Sequence, residues 1–382
     1  MWRPALALTI LATLAAAALG QLPPGVERVE FPRPAEADAL VFAPDGTAWA
    51  GSYSEGDLFR RPPGGAIEFV LHLPFWGGVY DMAAGPGGLV WVGARHYLAL
   101  LDPGSGNVTR WTDFRDVKHV LALADGSVWL VSGDGSNIRV VHMAADGSIL
   151  ASFPMTFLAA AANLAPDDAL WLVGQTDPAA PPAALRVTDS GFDSRPVPTL
   201  GSLHFAGGTV WLVGHDGTLV RLGADMVARS SLTIRDGNGF LSARATSDPA
   251  DNVWIRATYL EGNSVVMRLV RVTPDGTLTR FAALPGLPRN DCNSPNPGDI
   301  AVTPDGRIAT TDWYPSVGFF GFNPCSSDPI TQARSFLTTI DPALLPVAAT
   351  SHHGEPIPAL GALQLLVLAV LLTFVAVYRL FR

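Results

Sequence analysis

Lysine is almost missing from this chain: Lys118 is the single one in 382 residues. With 25 Lys+Arg against 34 Asp+Glu and a formal charge of −9, no basic surface can neutralise a phosphate backbone, which argues against nucleic-acid binding. Charged residues of all kinds make up only 15% of the chain and apolar ones 48%, so a disordered chain is excluded too. Helix-period stretches with capping residues are scarce. Glutamate is down to seven residues and cysteine to two, Cys292 and Cys325. What the chain does have is 38 Gly and 32 Pro, which supply chain reversals and favour many short strands over long helices.

One of those strands keeps returning. "ALWLVG" around Trp171 has close variants around Trp91, Trp129, Trp211 and Trp254, and the extended register "APDGTAW" ends on Trp49. A turn precedes each: Asp45-Gly46, Gly87-Gly88, Asp125-Gly126, Asp167-Asp168, Gly207-Gly208 and Asp251-Asn252. A seventh copy, Asp305-Gly306, carries Ala309 in the tryptophan slot. The slots are 42, 38, 42, 40, 43 and 55 residues apart, the period of a four-stranded propeller blade. Asp-Gly suits a tight hairpin because glycine accepts positive φ, and the tryptophan supplies a large apolar body between adjacent blades. The expected fold is all-β, a seven-bladed β-propeller over residues 21–325, followed by a linker (326–356) and a single C-terminal transmembrane helix. In the last blade, strands are expected at 307–311 and 317–322, with 25–32 from the start of the chain as the closing outer strand and 335–340 as its rival.

Both ends read as addresses. One arginine, an apolar stretch over residues 4–18 and small residues at Ala18 and Gly20 match a signal peptide, residues 1–20, cleaved after Gly20. Residues 359–378 carry no charge over twenty positions, about 30 Å of helix and enough to cross a bilayer. Arg379 and Arg382 follow and belong on the cytoplasmic side. The expected location is therefore exported, periplasmic or on the cell surface, with the propeller anchored in the membrane. In such an oxidising compartment Cys292 and Cys325 suggest one disulfide, although simple blade topology sets them on opposite faces. A loop in the 55-residue interval is what would reconcile them.

Two resemblances follow from these residues. The stretch from Glu355 through Ile357-Pro358-Ala359-Leu360 into the apolar helix and terminal arginines resembles the IPTL-type C-terminal sorting domain of Gram-negative bacteria, with alanine where threonine is usual. That resemblance implies membrane partners, including a sortase-like processing enzyme. The blade repeats, best seen at Pro44 to Trp49 and in "LVRVTPDGTLTRF" up to Phe281, resemble streptogramin (virginiamycin B) lyases and the wider NHL-like propellers. Those lyases carry a histidine, a Glu-x-His pair and magnesium at the channel mouth. No Glu-x-His occurs in this chain, so lyase chemistry is carried over to no residue.

In a propeller, the loops after second strands and the connectors after fourth strands gather around one mouth of the channel, where function sits. The ligand-face candidates from those loops are Tyr53, Arg95, His96, Asp134, His215, Arg256, Tyr259, Asp312 and Tyr314, joined by Glu55, Asp177 and Asp216. Connector residues Trp76, Tyr80, Asp81, Lys118, His119, Arg244 and Asp299 should lie close by. Aromatics, arginines and acids together suit a sugar, a peptide or a small polar metabolite. His96 and His215 fall three blades apart, and no Cys/His cluster or carboxylate triplet has ligand spacing, so no metal and no cofactor is expected. The leading expectation is a ligand- or protein-binding module of the bacterial envelope. The alternative is a diverged lyase-like or lactonase-like enzyme, favoured if three or more carboxylates or imidazoles converge at one mouth.

Overall fold

The computed structural model describes residues 22–33, 35–53, 55–73, 78–135, 137–235, 240–261, 264–288, 296–314 and 334–348. The signal segment, Trp76, Cys292, Cys325, the strand expected at 317–322, the sorting motif and the apolar C-terminal segment lie outside the described residues. Among the described residues, no helix is long and apolar enough to cross a membrane.

Seven antiparallel sheets follow one another along the chain, and this is a seven-bladed propeller. Their inner strands are Ala37–Phe42, Val79–Ala84, Val117–Ala122, Leu158–Leu164, Gly201–Ala206, Phe240–Ser247 and Asn296–Val302. Each inner strand lies beside the next, and the seventh lies beside the first, so the ring is closed. Blade 6 carries a fifth strand, Leu284–Pro288, paired to the far half of Ser264–Val272.

Blades 2 and 5 use Gly-Gly with both φ positive before the tryptophan slot, while blades 1, 3, 4, 6 and 7 repeat one turn there. Gly46 and Gly126 adopt φ of 85° and 91° there, while Asp45 and Asp125 accept the amide protons of Thr47 and Ser127 at 2.8 and 2.9 Å. Where glycine is missing from the slot, Asp168 and Asp251 take φ of 61° instead, a conformation that aspartate tolerates better than most residues. The tryptophans are buried and each packs on the following blade. Trp91 meets Val120, Val128 and Leu130, Trp171 meets Leu203 and Leu212, and Trp254 meets Ile300 and Ile308. Between blades 7 and 1, Ala309 leaves room that Phe31 and Phe59 fill, their rings 5.0 Å apart and edge to face.

Closure uses both segments that competed for it. Arg334–Ile340 is the third strand of blade 7, paired to Ile308–Tyr314, and Val26–Glu30 is the fourth, paired to Arg334–Ile340 with Val26 opposite Ile340. The two are neighbours in one sheet rather than rivals. The sheet thus draws on a strand from the stretch expected to be linker, and the compact unit runs to Pro346. The seven residues Arg334–Ile340 end on the β-branched run Thr338-Thr339-Ile340, which suits a strand buried on both faces, but no Asp-Gly turn marks it in the repeat.

Candidate functional site

One position of each inner strand faces the channel, and its register is fixed by the tryptophan slot. Ala39, Asp81, His119, Ala161, Ser202 and Arg244 each stand opposite the residue two after the slot: Gly51, Gly93, Val131, Val173, Val213 and Arg256. In blade 7 the equivalent residue is Asp299, inside the register shift between Pro297 and Ile300. Together these seven line a cavity of about 640 Å³, within the roughly 300 to 1,000 Å³ usual for small-ligand sites. A β-bulge in blades 1 to 4 skips one residue, and the skipped residues Asp38, Tyr80, Lys118 and Ala160 line the cavity as well. A bulge breaks strict alternation, which is how neighbours in sequence come to share one face. At the strand ends Tyr53, Arg95, Asp116, Asp134 and His215 complete the wall.

Several of these groups also tie blades together. Asp81 accepts the amide protons of Met82 at 2.8 Å and of Val120, in the next blade, at 2.9 Å. Asp299 accepts those of Ile300 at 2.9 Å and of Leu40 in blade 1. Asn163 donates to the Leu203 carbonyl at 2.7 Å, bridging blades 4 and 5. Gly93 allows the approach of blade 3, since a Cβ there would stand 2.6 Å from Val120 Cγ2 and 2.7 Å from the Val117 carbonyl.

Burial dominates the electrostatics of the wall. Loss of solvation pushes Asp81 up to about 8, with repulsion from Asp299 adding to it and the two amides and Arg244 opposing it. Asp299 rises to about 6 for the same first reason, and Asp38 is raised as well. His119 falls to about 4 through burial, then through the fields of Arg244 and Lys118. His204 also falls to about 4; its ring is 2% exposed and its Nε2 sits 2.8 Å from Ser202 Oγ. His215 is lowered by burial and by Arg244. Burial thus favours the uncharged imidazole at His119, His204 and His215 and the protonated carboxyl at Asp81. At the mouth, the rings of Tyr53 and Tyr80 stand 5.5 Å apart, and the Tyr80 hydroxyl donates to Asp116 at 3.3 Å.

Of the ligand-face candidates, Tyr53, Arg95, Asp134 and His215 line the cavity, as do the connector residues Tyr80, Asp81, Lys118, His119, Arg244 and Asp299. His96 is exposed and outside the lining. Arg256, Tyr259 and Asp312 are not loop residues. The second strand of blade 6 runs through Val253–Glu261, which places Arg256 and Tyr259 inside the sheet, buried to 1% and 2%. Arg256 pairs with Asp312 and donates to the Thr311 carbonyl at 2.8 Å, while the Tyr259 hydroxyl donates to the Ile234 carbonyl. Tyr314 ends the strand Ile308–Tyr314. Glu55, Asp177 and Asp216 serve local turns, meeting Ser52, the Ala179 amide and Thr218. Sequence reasoning missed Asp38, Asp116, Asn163, Ser202 and His204. For Ser202 the available signal was the inner-strand position opposite the residue two after the tryptophan slot, and for Asn163 and His204 the position opposite the tryptophan itself; Asp38, at a bulge, and Asp116, before its strand, carried no such signal.

Away from the channel, blade 3 aligns Ser127 Oγ with His142 Nε2 at 2.8 Å and His142 Nδ1 with Asp189 at 2.7 Å. Ser127 is buried and also donates to Asp125 at 2.6 Å, and the His142 ring stacks on Trp129 at 4.5 Å. This is a blade-to-blade brace, with the serine out of reach of a substrate.

Among known proteins, no family model and no curated protein matches the chain. Solved structures do. A streptogramin B lyase superposes with a TM-score of 0.59 at 17% identity, covering 83% of this chain and 99% of that one. A catalytically inactive virginiamycin B lyase from Staphylococcus aureus with quinupristin gives 0.57 at 16%, over 82% and 99%. YCF48 bound to D1 peptide gives 0.56 at 11%, over 84% and 99%. The chain has the propeller fold of these proteins, and at such identities the likeness extends to the fold alone.

The lyase likeness raises the question of magnesium. Among the described residues no three His, Cys, Asp or Glu side chains are placed to hold a metal ion together, and Asp81 and Asp299 spend their oxygens on backbone amides. The donor set does not fit that ion.

Proposed function

We propose that this chain is an exported propeller, tethered to the membrane by residues 359–378, that binds a ligand in the mouth of its central channel as a module of the bacterial envelope. The observation that carries the reading is the cavity itself: about 640 Å³, lined by one polar or small residue from each of seven blades. A ring of seven blades leaves a central channel whatever its function; what supports a ligand is the ionisable and aromatic lining of this mouth, at a volume usual for small-ligand sites. The segments at both ends of the sequence support export and anchoring, and a peptide-bound relative of the same fold, YCF48 with D1 peptide, supports a peptide or protein segment as well as a small molecule as occupant.

The test is a plug. Ala161→Trp fills the cavity from the blade 4 wall. A thermal-shift screen of polar metabolites and short peptides should find ligands that stabilise the native full chain and leave the plugged variant unmoved. Ligands that shift both proteins equally would place binding elsewhere.

One observation favours an enzyme as a second reading. His119 Nδ1 lies 3.9 Å from Asp81 Oδ2, and burial holds the first near 4 and the second near 8. A protonated acid beside a neutral imidazole is a proton donor beside a proton acceptor. Turnover of a cyclic ester by the native protein, lost in Asp81→Asn, would establish the enzyme; release of every bound ligand unchanged supports the binding module.

A further inference from the structure

Resting on the channel reading above, we infer that the ligand is a small organic anion, an oxyanion on a carbon body, gripped by Arg244.

The inference starts from a like-charge pair. Arg244 and Arg256 stand directly opposite across the first two strands of blade 6, an arrangement that costs stability unless each charge is compensated. Arg256 is compensated by Asp312 and the Thr311 carbonyl. Arg244 is exposed to the channel, and among the described residues it has no hydrogen bond and no carboxylate within 4.0 Å. Its charge acts at longer range on Asp38, Asp81, His119, His215 and Asp299, which belong to five other blades. A guanidinium aimed into a cavity and serving no contact of the fold is a ligand group.

The sign of the ligand follows from which lining charges are already engaged. Asp81 and Asp299 hold backbone amides and Asp116 holds the Tyr80 hydroxyl. Asp38 meets the Trp313 side chain, which leaves Asp134. Against it stand Arg244, Lys118 and Arg95, none with an ion pair among the described residues. Amide and hydroxyl donors do not discharge a carboxylate, so the wall keeps its acidic groups, but the contacts it still has to offer a ligand come chiefly from these three cations. A carboxylate or phosphate on Arg244 gains paired, charge-assisted hydrogen bonds in a partly desolvated place. The carbon body follows from the walls beside it: Ala243 and Ala245 flank Arg244, and Ala160, Ala161 and Ala162 face the cavity from blade 4. Bare inorganic ions gain nothing from alanine.

Isothermal titration of the purified full chain tests this with four probes: benzoate, phenyl phosphate, inorganic phosphate and benzylammonium. Benzoate or phenyl phosphate should bind in the millimolar range or tighter, and whichever is stronger identifies the oxyanion. Inorganic phosphate should be weaker, for want of the carbon body, and benzylammonium should not bind. Arg244→Gln should weaken the anion roughly tenfold or more, with Arg244→Lys between the two. Circular dichroism checks that both variants are folded. Tighter binding of benzylammonium, no binding of either organic anion, or unchanged affinity in Arg244→Gln would overturn the inference. If Arg244→Gln keeps the anion while Ala161→Trp loses it, the channel reading stands and the role of Arg244 falls. If the plugged variant keeps it too, both fall.

Discussion

Arg244 and Arg256 face each other across one strand pair of blade 6, and of the two only Arg256 has a carboxylate in reach among the described residues. Two arginines of one register thus do different work: one braces blade 6 against blade 7, the other projects into the channel. Removing one partner of a buried pair leaves an uncompensated charge, so Arg256→Met should cost about 3 to 5 kcal/mol. Arg244→Gln should stay within about 0.5 kcal/mol of the native protein, as for an exposed residue outside the core. Urea midpoints decide it. The reverse order of losses would contradict the division of roles.

The tryptophan slot makes a separate prediction. Trp171 is 7% exposed and packs on Leu203, Leu212 and Val220 of the following blade. Trp171→Ala should cost about 3 to 5 kcal/mol, through lost burial and the cavity left behind. A nearly unchanged unfolding midpoint would mean that the indole does not join the blades.

Stability should depend on pH with a sign set by the channel wall. Asp81 is raised from 3.8 to about 8, so its contribution is full below the lower value and is lost as pH rises through the upper one. His119 and His204 are lowered from 6.5 to about 4, so theirs is full above 6.5 and is lost as pH falls towards 4. Between pH 6.5 and 8, therefore, only the Asp81 contribution changes among these groups, and stability should decline as pH rises. The melting temperature of Asp81→Asn should be flat over that window. An unchanged slope in the variant would show that another group is responsible.

Closure can be tested by deletion. Without residues 22–32 the strand Arg334–Ile340 loses its outer partner, keeping only Ile308–Tyr314, and the blade 7 to blade 1 junction loses Phe31. An exposed strand edge invites association. Light scattering should show the truncated protein assembling, with a lower melting temperature. A monomer of native stability would contradict the role of Val26–Glu30 as outer strand.

Much of this fold was legible in the sequence because its repeating parts demand particular residue types. A turn at φ near 85° selects Gly46, or an aspartate such as Asp168, and a gap between blades selects a large ring such as Trp91. Blade 7 was read less well. Its third strand, Arg334–Ile340, follows a long interval without a turn marker, and apolar alternation alone does not say which strand it will pair with. The site was legible only in part. Loop positions such as Tyr53 and Arg95 follow from blade topology, whereas Asp38 and Lys118 reach the channel through bulges that shift the register. Arg256 misled for a similar reason: the strand Val253–Glu261 is nine residues long, so a residue counted into the loop lies within the sheet.

The most direct measurement is the electron density of the full-length protein crystallised as isolated, without added ligand, and again after soaking with the tightest-binding compound from the screen. The account predicts density inside the channel, in contact with Arg244 and with the blade 4 alanines. Ligand density on the outer strands or on the opposite face, with only solvent between Arg244 and Ala161, would contradict it.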